Sequence, residues 1–179
     1  QLSREPHPQP TWIVCGAGTG GTSATLGRYL RYRGLDTALC VAEPRGCAFA
    51  EGWRERSHIA VATQPTLIEG IGRRHVESGF LFDVVDDVIE VDDAMSIAGA
   101  WHLQELLGVR YGGSSGTNFV ACLQLAAQMR ARGATGSIVS LLCDRGERYA
   151  DTLYDKAWLA AHAINLDRAL TAVRELAQS

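Results

Sequence analysis

Residues 11–30 read TWIVCGAGTGGTSATLGRYL, and the glycines in their middle decide what kind of protein this is. Thr11 to Cys15 form an apolar run, the glycines follow, and an apolar-periodic stretch follows them. A strand, a glycine turn and a helix in that order aim backbone N–H groups and the positive end of a helix at an anion. Gly16-x-Gly18-x-x-Gly21 fits the dinucleotide fingerprint, and Glu43, at the end of the next predicted strand, stands where an acid about twenty residues on would hold a ribose. Gly18-Thr19-Gly20-Gly21-Thr22 also fits a compact cup for one phosphate monoester, with two threonine hydroxyls added to the backbone donors. A tight turn that binds nothing is the third possibility. The loop alone leaves them open.

Strand-like runs rich in Val, Ile or Leu lie at Thr11–Cys15, Thr37–Glu43, Asp86–Val91 and Ser137–Cys143. Helical spacing recurs at about Ser23–Arg33, Ala94–Leu107 and Thr117–Arg132, with Gly34, Gly108 and Gly133 as stops. A last helical region spans about Ala157 to Ala177. This alternation predicts an α/β fold, a parallel sheet covered by helices on both faces. Pro44 to Asp83 is the least regular stretch and carries Gly46, Gly52, Gly70, Gly72 and Gly79. The organisation expected is a linker at 1–10, the tail of an upstream segment, and one α/β domain at 11–179.

The bulk properties narrow the function. A chain of 179 residues with net charge −3 and 46% hydrophobic residues can bury one sizeable core. No basic run interleaved with aromatics suggests nucleic acid, and no stretch of about twenty uncharged apolar residues suggests a membrane span. The five cysteines lack C-x-x-C spacing, and four lie in apolar runs, as buried thiols of a reduced, cytoplasmic protein do. Cys47 alone sits in a loop, where a bystander is the expected reading and a reactive thiol the alternative. The five histidines share no metal-ligand spacing, so no metal site is expected.

Three further motifs bear on the glycine loop. EGIG, Glu69 to Gly72, sets two glycines around one Ile, as where backbone approaches a ligand closely. GGSSGTN, Gly112 to Asn118, places two serines where a helix begins, for binding or for capping. CDRGERY, Cys143 to Tyr149, closes a strand with a charged turn.

Gly-Thr-Gly-Gly-Thr, Val-Ala-Glu-Pro, Gly-Ile-Gly, Gly-Gly-Ser-Ser-Gly and Asp-x-Gly-x-Arg-Tyr, in that order, resemble the C-terminal half of the cysteine synthase and cystathionine β-synthase family. These are pyridoxal-phosphate enzymes of fold type II with a Rossmann-like three-layer domain. The resemblance runs from about Thr11 to Asp155. It implies that Gly18, Thr19, Gly20, Gly21 and Thr22 hold the cofactor phosphate and that Ser114 hydrogen-bonds the pyridine nitrogen, Ser115 lying one position off. It also implies that Gly70, Ile71 and Gly72 line the amino-acid side of the pocket. Asp144 and Tyr149 fall near the ring without an assigned role.

EGIGR and GGSSGTN look most like the cysteine desulfhydrase branch, since the usual synthase has small residues such as Ala where this chain has Thr117 and Asn118. The activity implied is β-elimination of L-cysteine to sulfide, pyruvate and ammonia, by a homodimer. The alternatives are β-replacement by a cysteine synthase acting on O-acetylserine or O-phosphoserine and, from another class, an NAD-dependent dehydrogenase. The family's Schiff-base lysine lies upstream of the phosphate loop. The single lysine here, Lys156 in YDKAW, matches no family lysine. The expectation is therefore the C-terminal part of a longer enzyme, inactive without its N-terminal half.

Overall fold

The computed structural model describes residues 2–178. Four strands, β1 (Trp12–Gly16), β2 (Ala38–Pro44), β3 (Asp87–Val91) and β4 (Ile138–Ser140), form one parallel sheet in the order β3-β2-β1-β4. Period-two alternation sends the side chains of β2 to opposite faces. Leu39 and Val41 join Leu30, Phe49, Phe80 and Val85 in one core. Cys40 and Ala42 join Val120, Leu125, Leu170 and Val173 in the other. The first core is roofed by α1 (Gly21–Arg33) and α2 (Ala48–Glu55), the second by α3 (Asp93–Leu107), α4 (Gly113–Ala131) and α6 (Leu166–Gln178). Helices therefore cover both faces, as the alternation predicts.

Three elements differ from the sequence reading. The irregular stretch contains α2, only two turns long and set among glycines. Its N-terminus is satisfied from outside: the Glu43 carboxylate accepts the N–H groups of Phe49 and Ala50 at 3.2 and 2.5 Å. The single last helix is two, α5 (Lys156–Ala161) and α6, parted at Ala163 with φ 57°. β4 is three residues long rather than seven, because Asn118 of α4 donates to the Leu141 carbonyl at 3.1 Å and the chain leaves the ladder there. Leu141, Leu142 and Cys143 are exposed in consequence, Cys143 contrary to expectation.

α3 and α4 touch backbone to backbone. A Cβ on Gly116 would press on the Ser96 carbonyl and the Ala100 nitrogen. Thr117 adds a buried hydroxyl pair with Ser96 at 2.8 Å. This contact sets where the first turn of α4 stands, and with it Ser114.

Candidate functional site

The chain runs from β1 to β2 and β3 on one side, then returns to place β4 on the other side of β1. The sheet order therefore reverses at β1, and ligands of such sheets bind beyond the carboxyl ends of the strands at that point. The glycine loop leaves the end of β1 there. The 143–149 turn follows the end of β4.

The glycine loop is held open by its neighbours. Gly20 has φ 84°, a conformation that suits glycine, and a Cβ on it would stand 2.5 Å from the Phe80 nitrogen. The N–H groups of Gly18 to Ser23 have no acceptor among the described residues. Ser23 turns its hydroxyl back to the Gly20 carbonyl at 3.0 Å, while the hydroxyls of Thr19 and Thr22 have no such partner. Thr19, Gly21 and Thr22 are exposed. The result is a run of unpaired backbone donors and two free hydroxyls at the N-terminus of a 13-residue helix.

The 69–72 segment lies against this loop. Gly72 N–H donates to the Ala17 carbonyl at 2.9 Å, and a Cβ on Gly18 would stand 2.6 Å from the Gly70 carbonyl oxygen. Gly70 and Gly72 both have positive φ, 86° and 70°. Ile71 is buried: its side chain packs under Gly16 and into a third core with Ile68, Ile97 and Tyr149. Ile68 also packs at Gly113, the first residue of α4, so this segment ties the glycine loop to the serines.

Neither serine caps α4. The N-cap is Gly112, without a side-chain bond, and Ser114 and Ser115 lie inside the first turn. Ser115 is wholly buried, and its oxygen accepts the Cys143 N–H at 2.9 Å. Ser114 is 5% exposed and its hydroxyl has no partner among the described residues. Gly112 N–H donates to the Asp144 carbonyl at 3.0 Å, and Tyr149 donates its hydroxyl to the Asp144 carboxylate at 2.6 Å. Burial, then that carboxylate, pushes the Tyr149 hydroxyl above its usual range. Asp144 and Tyr149 thus brace the start of α4. The links through Ser115 and Asp144 are between residues far apart in sequence, and no local pattern announced them.

Glu43 and Cys47 do not join this site. Glu43 is fully buried with its oxygens engaged at the start of α2, so it is not free to hold a ribose, and the dehydrogenase reading loses its acid. Burial, opposed by those two N–H bonds, raises its carboxyl to about 7. Cys47 is buried, and desolvation pushes its thiol up to about 12, the opposite of a reactive cysteine. Among the described residues no group of His, Cys, Asp or Glu could hold a metal ion, and no helix is long and apolar enough to cross a membrane.

A run of unpaired backbone donors at the reversal of a parallel sheet, with an unpartnered serine in the first turn of α4, has the makings of a site for a phosphate-bearing cofactor. The family model for pyridoxal-phosphate dependent enzymes matches residues 1–144, and the chain belongs to that family. It is 48% identical over 165 residues to L-cysteine desulfhydrase Cds1 of Mycobacterium tuberculosis, covering 92% of this chain and 45% of that protein. It is 31% identical to cysteine synthase 2 of Schizosaccharomyces pombe, covering 82% and 39%. Among solved structures, a hydrogen sulfide-producing enzyme of Fusobacterium nucleatum aligns with TM-score 0.69 at 27% identity, over 83% of this chain and 41% of that one. O-acetyl serine sulfhydrylase isoform 3 of Entamoeba histolytica aligns with TM-score 0.73 at 25% identity, over 93% and 46%. The chain spans less than half the length of these relatives.

Proposed function

We propose that this chain is the phosphate-holding part of a pyridoxal-phosphate enzyme that eliminates sulfide from L-cysteine, leaving pyruvate and ammonia. The observation that carries the reading is the run of partnerless N–H groups from Gly18 to Ser23 around a positive-φ Gly20. Such a donor set suits a phosphate monoester, which wants many donors. The preference for elimination over synthesis rests on the 48% identity to a protein named as a cysteine desulfhydrase, against 31% to a cysteine synthase.

Bound there, the cofactor supplies an electron sink that weakens the Cα–H bond of an amino acid and lets a substituent leave Cβ. The chain's own residues bind and orient. Gly18 to Thr22 anchor the phosphate through backbone N–H groups and the hydroxyls of Thr19 and Thr22. Ser114 offers a neutral hydroxyl to the pyridine nitrogen. Lacking a carboxylate's charge, it leaves that nitrogen largely unprotonated, which favours loss from Cβ over transamination. Gly70, Ile71 and Gly72 bound the amino-acid side through backbone. The group that moves the Cα proton belongs to the enzyme's other half, and the whole enzyme is a homodimer. Five unpaired cysteines support a reducing, cytoplasmic setting.

The test is the full-length enzyme with L-cysteine. Sulfide and pyruvate released in equal amounts support the reading. Cysteine formed from O-acetylserine and sulfide, with no pyruvate from cysteine, replaces it with the synthase reading.

A further inference from the structure

The phosphate site as described contains only neutral donors, yet a guanidinium stands at its edge. A Cβ on Gly18 would lie 3.3 Å from Arg73 Nη2. Nη1 of the same side chain donates to the Gly72 carbonyl at 3.2 Å, which holds the guanidinium against the glycine loop. Its acid partner is Glu77, half exposed, in a long ion pair with Nε at 4.0 Å that leaves Nη2 out. Glu69, the other acid of this segment, is paired with Arg148 at 3.1 Å. Nη2 itself has no acceptor among the described residues. The Arg73 side chain is itself part-exposed, so solutes reach it. A cation with a spare donor, beside a row of partnerless N–H groups and paired only loosely with one half-exposed carboxylate, is placed for a dianion.

We propose that Arg73 is the cation of this phosphate site, contributing charge that the glycine loop and its threonines lack. The proposal rests on the assignment of that loop to the cofactor phosphate. The backbone supports the comparison of variants, because the Arg73 carbonyl accepts the Ala48 N–H at 3.1 Å whatever the side chain.

The experiment measures equilibrium binding of pyridoxal phosphate and of phosphate-free pyridoxal to the full-length apoenzyme, in wild type, Arg73→Gln and Arg73→Lys. Thermal melts of each variant accompany the titrations. Arg73→Gln should bind pyridoxal phosphate about tenfold more weakly, the effect of one charged hydrogen bond, with pyridoxal affinity unchanged. Its affinity for pyridoxal phosphate should also fall less steeply with salt, and Arg73→Lys should recover most of the loss. Equal weakening for both ligands, unchanged affinity for both, or an effect only on the KM for cysteine overturns the proposal. A wild-type apoenzyme that does not bind pyridoxal phosphate overturns the cofactor assignment itself, a separate failure.

Discussion

The hydroxyl oxygen of Ser115 accepts the backbone N–H of Cys143 at 2.9 Å, across the gap between the first turn of α4 and the end of β4. One serine of the pair is thereby committed to the scaffold, and its neighbour Ser114 is left with a free hydroxyl. The two positions should respond differently to the same change. Ser115→Ala deletes this bond and its buried acceptor and should cost about 0.5–1.5 kcal/mol of stability. Ser114→Ala should melt within about 0.5 kcal/mol of wild type but turn over more slowly. Denaturant melts beside sulfide release separate them, and a reversed pattern would mean that Ser115 faces the ring.

Gly20→Val should abolish cofactor retention. The side chain would meet Phe80 backbone and occupy a φ that β-branched residues avoid. Thr22→Ala, with no such conflict, should weaken binding by about 1–3 kcal/mol, the value of a hydrogen bond to a charged group. Visible absorbance after gel filtration measures both. Retention of cofactor by Gly20→Val places the phosphate elsewhere.

Glu43 should make stability depend on pH in a definite direction. Its carboxyl sits at about 7 in the folded chain against 4.5 ordinarily. Its raised value favours the folded state while the group is protonated. That stabilisation is complete below about 4.5 and lost as the pH rises through about 7, at up to about 1.4 kcal/mol per unit between. Glu43→Gln should flatten this slope while keeping one acceptor for the start of α2. Urea melts of both proteins at pH 5 and pH 8 provide the comparison, and parallel slopes would exclude Glu43 as the source.

Gly116→Ala should destabilise by about 1–3 kcal/mol through overpacking, because the added methyl meets the Ser96 carbonyl and Ala100. Forcing α3 and α4 apart also displaces Ser114, so activity should fall more than cofactor binding at the glycine loop. An unchanged melting temperature would show that the helices have room to spare.

The parts of this fold that sequence made legible are those whose signal is local. β1 to β3 and α1, α3 and α4 each carry enough periodic apolar residues to show their type, and the strand–glycine–helix order around Gly18 to Thr22 exposed the loop. Ser114 was distinguishable from Ser115 only through resemblance; the physical reason, the bond from Cys143, joins residues that no local reading connects. α2 was hidden because eight residues give too short a period and because Glu43, outside it, satisfies its first N–H groups. Arg73 was passed over as one more charge in an irregular stretch. Its meaning comes from the fold that brings it to Gly18.

The closeness of Gly20 to Phe80 has a consequence for how the chain is made. The loop leaves the ribosome well before the backbone that shapes it, and β1, which pairs with residues up to Ile138 and beyond, is synthesised first of the four strands. Until β4 arrives, the nascent chain presents β1 as a bare edge beside an unbuttressed loop, and such edges recruit other chains. Fragments ending before residue 138 should accordingly partition into inclusion bodies or bind chaperones more than the whole chain does.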